Sequence, residues 1–473
     1  MSNHLKPSLN QDQLVTQNYS RDDIQAGVLH LGVGAFHRAH QAVYFDRLLT
    51  NENQQNWGII GVNIRPQDSQ AFARFVEQDG EYVLKTIAAD GITKYEHIRS
   101  LVKQIDGAQA PDDVDTALAS ESIQLVTSTV TEGGYYLDEN RGLMLDHPAI
   151  KADIAGDRNT LYAFLYAGLK KRSETSNAKI TLLCCDNLRH NGELLEAGLI
   201  QFIAAKQDTN LVNWVKLNAS FPCSMVDRIT PKPSQQHADD VQTRFGVDDK
   251  MTVMSEDFIQ WVVEDKFAGK KPSLDLVGVQ LVKDVVPFEE AKIRILNASH
   301  TCLSYKAALK GFTYFDEAAC DAELKQYYID FTQTESIPSI GHSDIDLRDY
   351  RSVVLNRFSN KNVGDTVERI CSEGYTKITV FLIPIILSCY SKSITPIFTI
   401  SAIANWFHFL QEVKKGRFNY QDQNIDKLIN YNFNKEDIKS FTTDVSLWGA
   451  IIKNNPEFST TLSNEIEKLG TLK

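Results

Sequence analysis

A chain of 473 residues, 42% of them hydrophobic, can bury a large core and is longer than one core usually organises; two domains are expected and a disordered polymer is excluded. The formal net charge of −12 is spread along the chain and leaves no basic stripe for phosphate backbones or anionic lipid, so neither nucleic acid nor membrane is an expected partner. Seven cysteines, with Cys184 and Cys185 adjacent and no CxxC pair, suit free thiols in a reducing compartment; the opening Met1-Ser2-Asn3-His4 starts no signal-peptide pattern, and the cytoplasm is the expected location.

From Gly27 short apolar runs alternate with segments of helical period, the rhythm of a parallel sheet with crossover helices. Strands are predicted over Val28–Leu31, Gly58–Val62, Gln124–Val130, Lys179–Cys185 and Val277–Val282, and helices over Phe36–Leu49, Thr160–Lys170 and Glu193–Ala205. Residues 1–285 therefore read as a doubly wound α/β domain.

Within it, Gly32-Val33-Gly34 joins the first strand to the first helix. In a dinucleotide-binding turn the first glycine permits the tight bend and the second lets pyrophosphate reach backbone N–H groups at the helix N-terminus. His37 stands where a third glycine would be, and a plain strand-to-helix turn is the alternative. Past the second strand lie Asn63, Arg65 and Asp68. Asp68 suits a ribose hydroxyl and Arg65 a 2′-phosphate, so NAD is favoured on Asp68 while NADP stays open. His37 and His40 are three apart with no cysteine nearby, and no metal site is expected. Tyr166 and Lys170 have the Tyr-x-x-x-Lys spacing of short-chain dehydrogenases, but the glycine turn is wrongly spaced for that class and chance supplies such pairs. Asp186-Asn187 follows an apolar run, which puts Asn187 at the carboxyl end of a strand, where open α/β sheets bind ligands.

Past Pro287 helical periodicity takes over, in Ala291–Leu309, Ala319–Thr332 and Ala402–Lys415, and residues 286–473 read as a mainly helical domain. At about 100° per residue, His300 lies roughly 80° and Asn297 roughly 140° round from Lys292, so the three can face one cleft along about 12 Å of helix. The apolar run Ile378 to Tyr390 is shorter than a membrane span and contains Pro384; it is expected to be buried.

Several ordered blocks together carry a resemblance. They are Gly32-Val-Gly-Ala-Phe-His-Arg-Ala-His-Gln41, Thr131-Glu-Gly-Gly-Tyr135, Cys185-Asp-Asn-Leu-Arg-His-Asn-Gly192, Met225-Val-Asp-Arg-Ile-Thr-Pro231, Trp261 through Phe267, Lys292 through His300, and Asn356-Arg-Phe-Ser-Asn360 followed by Arg369 and Lys377. In these blocks the chain resembles the mannitol dehydrogenase family of polyol-specific long-chain dehydrogenases, up to about Pro384. Glu373-Gly374-Tyr375-Thr376 departs from the family pattern, and the tail beyond Pro384 finds no match.

The resemblance implies a Rossmann-type nucleotide domain followed by a helical substrate-binding and catalytic domain. It implies oxidation of a polyol to its ketose with hydride passing to NAD and no metal, by a monomer or small homo-oligomer. It makes Lys292 the general base, gives Asn187 and Asn297 the reacting oxygen, His300 the positioning of substrate and Glu289 the proton's route to solvent. Asp227, Arg369 and Lys377 fall around the polyol hydroxyls; Gly32, Gly34, Phe36, Arg38, Asp68, Thr131 and Glu132 fall to the cofactor. Gly133 favours the branch acting on D-mannitol and D-fructose over the hexuronate reductases of the fructuronate and tagaturonate type, which commonly carry lysine there; a pentitol remains an alternative. An ordinary lysine, with a pKa of about 10.4, is charged at neutral pH, so this chemistry requires partial desolvation or cations such as Arg294 or Arg369 beside Lys292. A fold of this kind without the chemistry would be a dinucleotide-binding sensor.

Overall fold

The computed structural model describes residues 13–470 apart from Glu139, Asp344 and Asn432. Met1-Ser2-Asn3-His4 lies outside the described residues. The chain divides into two compact units, residues 1–286 and 287–473.

In the first unit, six parallel strands stand in the spatial order Leu101–Asp106, Gly58–Asn63, Ala26–Leu31, Leu125–Ser128, Ile180–Cys184, Ala219–Ser220. Numbered along the chain this is 3-2-1-4-5-6, the doubly wound order, and the strand order reverses between Ala26–Leu31 and Leu125–Ser128. All but the edge strands are almost wholly buried, which is why they read as apolar-rich runs rather than as alternating ones. Helices Pro111–Ala119, Leu161–Glu174 and Asn191–Ala205 pack their apolar faces on one side through Leu118, Phe164, Leu199 and Phe202.

Two smaller sheets complete the unit. One joins Leu14–Thr16, Thr93–Ile98, Tyr82–Ile87 and Val253–Glu256; the other joins Ser224–Asp227, Gln260–Glu264 and Gln280–Val282. The expected strand Val277–Val282 is only its last three residues, because Leu274–Val277 closes a 3-10 turn and Gly278 turns left-handed at φ +94°. The expected helix Phe36–Leu49 is two, Ala35–Ala39 and Gln41–Leu48, broken at His40.

The second unit is helical, matching the expected class. Helix Ile397–Lys414 is its axis, packed against Ala298–Lys310 and Glu457–Gly470 around Trp406, Phe407, Tyr305 and Ile466. The expected helix Ala319–Thr332 is interrupted at Asp321, whose side chain caps Ala322–Phe331 by accepting from Leu324 N at 3.0 Å. The apolar run after Ile378 lies in a continuous helical stretch, Gly374–Ser391, which at 18 residues has the length and composition of a membrane span. Its buried face, Ile378, Leu382, Ile385, Ile386 and Cys389, belongs to the core of this unit.

Candidate active site

In the first unit the chemistry-bearing residues gather at the reversal of strand order. Gly32 follows the central strand at φ +96°, and a Cβ there would lie 2.2 Å from the carbonyl oxygen of Thr129, so only glycine fits. Gly34 faces open space, with nothing nearer than 4.0 Å to an added Cβ. His37, in place of the third glycine, is fully buried with its ring stacked on His30 at 3.4 Å between centroids. Burial holds both imidazoles neutral, His30 down to about 3, so two rings can lie face to face without charge repulsion. His30 in turn bonds Thr127 Oγ1 at 2.7 Å and Thr129 Oγ1 at 3.0 Å, tying the first helix to the neighbouring strand.

Thr131 begins the next loop with φ +66° and ψ 160°, a region almost confined to glycine. Asp186 holds it there. Its carboxylate accepts from Val130 N at 2.9 Å, Thr131 N at 3.0 Å and the Tyr135 hydroxyl at 2.7 Å, and burial lifts its pKa to about 6 against those bonds. Sequence reasoning assigns Asp186 no role, although its place one residue before Asn187 at a strand end is the available signal. Thr131 and Glu132 are exposed at the tip of the loop.

Asn187 is exposed just beyond strand Ile180–Cys184. The turn carrying it is anchored by buried Asn191, whose amide donates to Cys184 O, Asp186 O and Ser224 O at 3.2, 3.1 and 2.8 Å. Gly192 is required because a Cβ would meet Phe221 O at 2.4 Å and Pro222 O at 2.6 Å. Asp227 is buried at the end of strand Ser224–Asp227. Phe36 is half-buried and stacks on His40 at 5.0 Å. Asp68 and Arg65 are exposed and pair with each other at 3.4 Å, so the two candidate ribose readers partly neutralise one another.

Arg38 differs from expectation, whereas Tyr166 and Lys170 lie as expected of a chance pair. Arg38 is buried over the Tyr82 ring with its guanidinium donating to Met251 O, so it braces the first helix and is not presented to a ligand at the turn. Tyr166 and Lys170 both donate to Asp208 Oδ2, at 3.2 and 3.0 Å, where Asp208 caps helix Thr209–Asn218; they form an ion-paired surface cluster rather than an acid–base pair.

In the second unit, Glu289 is buried on helix Val286–Ala291, and Lys292, Asn297 and His300 are half-buried on the helical segments that follow. The six residues Lys292–Asn297 are π-helical, closed by bonds to the fifth residue back. A π-turn advances about 80° per residue, so Asn297 comes about 40° from Lys292, and His300, three α-helical steps on, about 20° on the other side. The α-helical expectation of roughly 140° and 80° is thus corrected to one narrow stripe.

His300 is stacked on Phe358 at 4.7 Å and meets Phe315 edge-on at 4.3 Å. Enclosure lowers its pKa to about 3, so it is a neutral ring. The cations expected near Lys292 are compensated: Arg294 pairs with Glu290 and donates to Ser339 O at 2.7 Å, and exposed Arg369 makes a two-pronged pair with Asp365. Lys377 donates to Ile370 O at 2.7 Å, and desolvation, reinforced by Arg369, lowers it to about 8.

Comparison with known proteins agrees over both units. The sequence matches the family models described as mannitol dehydrogenase Rossmann domain over residues 26–276 and mannitol dehydrogenase C-terminal domain over residues 284–470, which extends the match past the Pro384 limit set from sequence blocks. It is 36% identical to D-arabinitol 4-dehydrogenase of Klebsiella pneumoniae over 94% of this chain and 98% of that one. It is 35% identical to mannitol 2-dehydrogenase of Phaeosphaeria nodorum over 98% and 82%. Among solved structures, the mannitol 2-dehydrogenase of Pseudomonas fluorescens, in ternary complex with NAD and D-mannitol, superposes with TM-score 0.84 at 32% identity, covering 96% of this chain and 94% of that one.

Proposed function

The chain belongs to the mannitol dehydrogenase family, a family of polyol dehydrogenases, and on that premise we propose that it oxidises one secondary hydroxyl of an acyclic polyol to the ketose with NAD. D-mannitol, giving D-fructose, is the first substrate. The observation that carries the reading is the stripe of Lys292, Asn297 and His300 on one face of one helix, a base, an amide and a neutral imidazole in line.

Lys292 accepts the proton of the reacting hydroxyl. The carboxamides of Asn297 and Asn187 donate to the same oxygen as it takes on alkoxide character, the service a metal ion performs elsewhere; one such donor is typically worth on the order of a hundredfold in rate. His300, fixed between Phe315 and Phe358, holds a neighbouring hydroxyl, and Glu289 passes the proton on. Asp227, Arg369 and Lys377 bind the remaining hydroxyls.

NAD, when bound, supplies the hydride acceptor. The turn fits a dinucleotide: Gly34 leaves open the approach to backbone N–H groups that pyrophosphate needs, at the reversal of strand order. Phe36 and the Thr131–Glu132 loop border it, and Asp68 favours NAD over a 2′-phosphate. The enzyme works without a metal, in the cytoplasm, as a monomer or small homo-oligomer.

A pentitol is the second reading, favoured by the likeness to D-arabinitol 4-dehydrogenase. D-arabinitol shares with D-mannitol the configuration of the reacting carbon and its next two neighbours, so a site reading only those three accepts both. Absorbance of reduced nicotinamide with D-mannitol, D-arabinitol, D-sorbitol, D-fructose and D-fructuronate, each against NAD and NADP, tests the reading. Turnover of D-mannitol or D-arabinitol with NAD supports it. Activity on hexuronates alone moves the chain to the reductase branch, and binding of NAD without turnover of any of them makes it a sensor.

A further inference from the structure

The π-turn that lines up Lys292 and Asn297 displaces a backbone carbonyl. In an α-helix the Ala298 N–H would donate to Arg294 O, four residues back; here it donates to Ile293 O, five back. Arg294 O thereby gives up the Ala298 donor that an α-helix would supply, and a carbonyl in a packed interior left short of donors is disfavoured. The replacement comes from outside the helix. Ser336, fully buried at the end of the π-helical stretch Thr332–Ser336, donates its hydroxyl to Arg294 O at 2.6 Å. The Arg294 side chain is held as well, by Glu290 and by Ser339 O.

We propose that Ser336 is a positioning residue of the active site: its hydroxyl takes the carbonyl released by the π-turn and so fixes the register that places Asn297 and His300 in line with Lys292. Ser336 reaches the substrate only through this helix. Without the hydroxyl, the carbonyl is drawn back to its α-helical donor, Ala298 N–H, and that return to α-helical register swings Asn297 by about 100° away from the lysine. The inference rests on the assignment of Lys292 and Asn297 to the reacting oxygen.

The test compares Ser336→Ala with Ser339→Ala in the full-length protein, on whichever of D-mannitol and D-arabinitol the wild type oxidises. Ser339 is the matched control, since its buried hydroxyl donates to Ser336 O at 2.6 Å in the same turn and leaves Arg294 O untouched. Ser336→Ala is expected to lower kcat by tenfold to about a hundredfold, approaching the loss of one donor to the reacting oxygen, with NAD affinity unchanged. Ser336→Cys, with its weak S–H donor, falls between and carries the test should the alanine variant fail to fold. In an Asn297→Ala background the further loss from Ser336→Ala shrinks to less than about threefold, whereas general destabilisation would lower activity equally in both backgrounds. Wild-type kcat in Ser336→Ala, or an equal loss in Ser339→Ala, overturns the proposal. Lys292→Ala is run alongside; undiminished turnover there removes the assignment of the base, and the inference with it, whatever Ser336 does.

Discussion

The two units hold their reactive side chains by different means. In the first, Gly32, Thr131 and Asn187 stand on loops at strand ends, and each loop is pinned through its backbone by a side chain: His30 on Gly32, Asp186 on Val130 and Thr131, Asn191 on Cys184 and Asp186. In the second, Lys292, Asn297 and His300 stand on a helix, and the helix register does the placing. Loops at strand ends suit a ligand read by backbone groups, as a dinucleotide is; a helical stripe suits side-chain chemistry that needs fixed mutual angles. Both units also use a buried carboxylate as a clamp. Asp186 clamps the Thr131 loop, and Glu335, next to Ser336, accepts from Phe398 N at 2.6 Å and Thr399 N at 2.8 Å to cap the central helix Ile397–Lys414.

The sharpest test of this division is Lys292→Ala, expected to lower polyol oxidation by at least about a thousandfold while NAD binding, measured by fluorescence titration, is unchanged. Loss of NAD affinity would break the separation of roles. Glu335→Gln probes the clamp of the helical unit. Burial raises Glu335 to about 7 from 4.5 despite the bonds it accepts, so its contribution is greatest below pH 4.5, declines as pH rises towards 7 and is constant above. The wild type should lose on the order of 3 kcal/mol across that window from this group, and the glutamine variant should show a flatter dependence in urea melts at pH 5, 6 and 7.

Asp186→Ala probes the matching clamp in the nucleotide unit. It releases Thr131 from its strained conformation and should weaken NAD binding by roughly tenfold with little change in kcat at saturating NAD. The smallest effect concerns Lys377. Lowered to about 8, it is mostly charged at pH 7 and mostly neutral at pH 9, so KM for the polyol should rise severalfold through pH 8. Lys377→Arg should move that rise out of range, and a pH-independent KM in the wild type would remove Lys377 from the substrate.

The doubly wound sheet was legible because its inner strands are buried on both faces and appear as apolar-rich runs, broken only by small polar residues and His30, ending near Gly32, Asn63 and Asp186. The mixed sheet was not: Thr93–Ile98 has only two apolar residues, Tyr95 and Ile98, three apart and off the strand period, and Val253–Glu256 pairs with Tyr82–Ile87 across some 170 residues of sequence, which no local pattern encodes. Among the site residues, spacing allows Lys292, Asn297 and His300 to share a face and the family resemblance supplies their roles, but the angles between them were read as α-helical, since propensity does not distinguish a π-turn from an α-helix. The placement of Arg38 depended on Met251 and Tyr82, distant partners likewise invisible in sequence.

The five residue-to-residue steps of π-turn from Lys292 to Asn297 sweep about 400°, the same as four steps of α-helix. The segment is therefore equivalent to an ordinary helix carrying one inserted residue, and homologous chains one residue shorter between these two positions can keep base and amide on a common face. In such a deletion Ala298's counterpart donates in the usual way, no carbonyl is expelled, and the serine opposite becomes dispensable. Insertion length and serine identity should thus covary: a chain that has one without the other carries either an orphaned acceptor or a redundant donor.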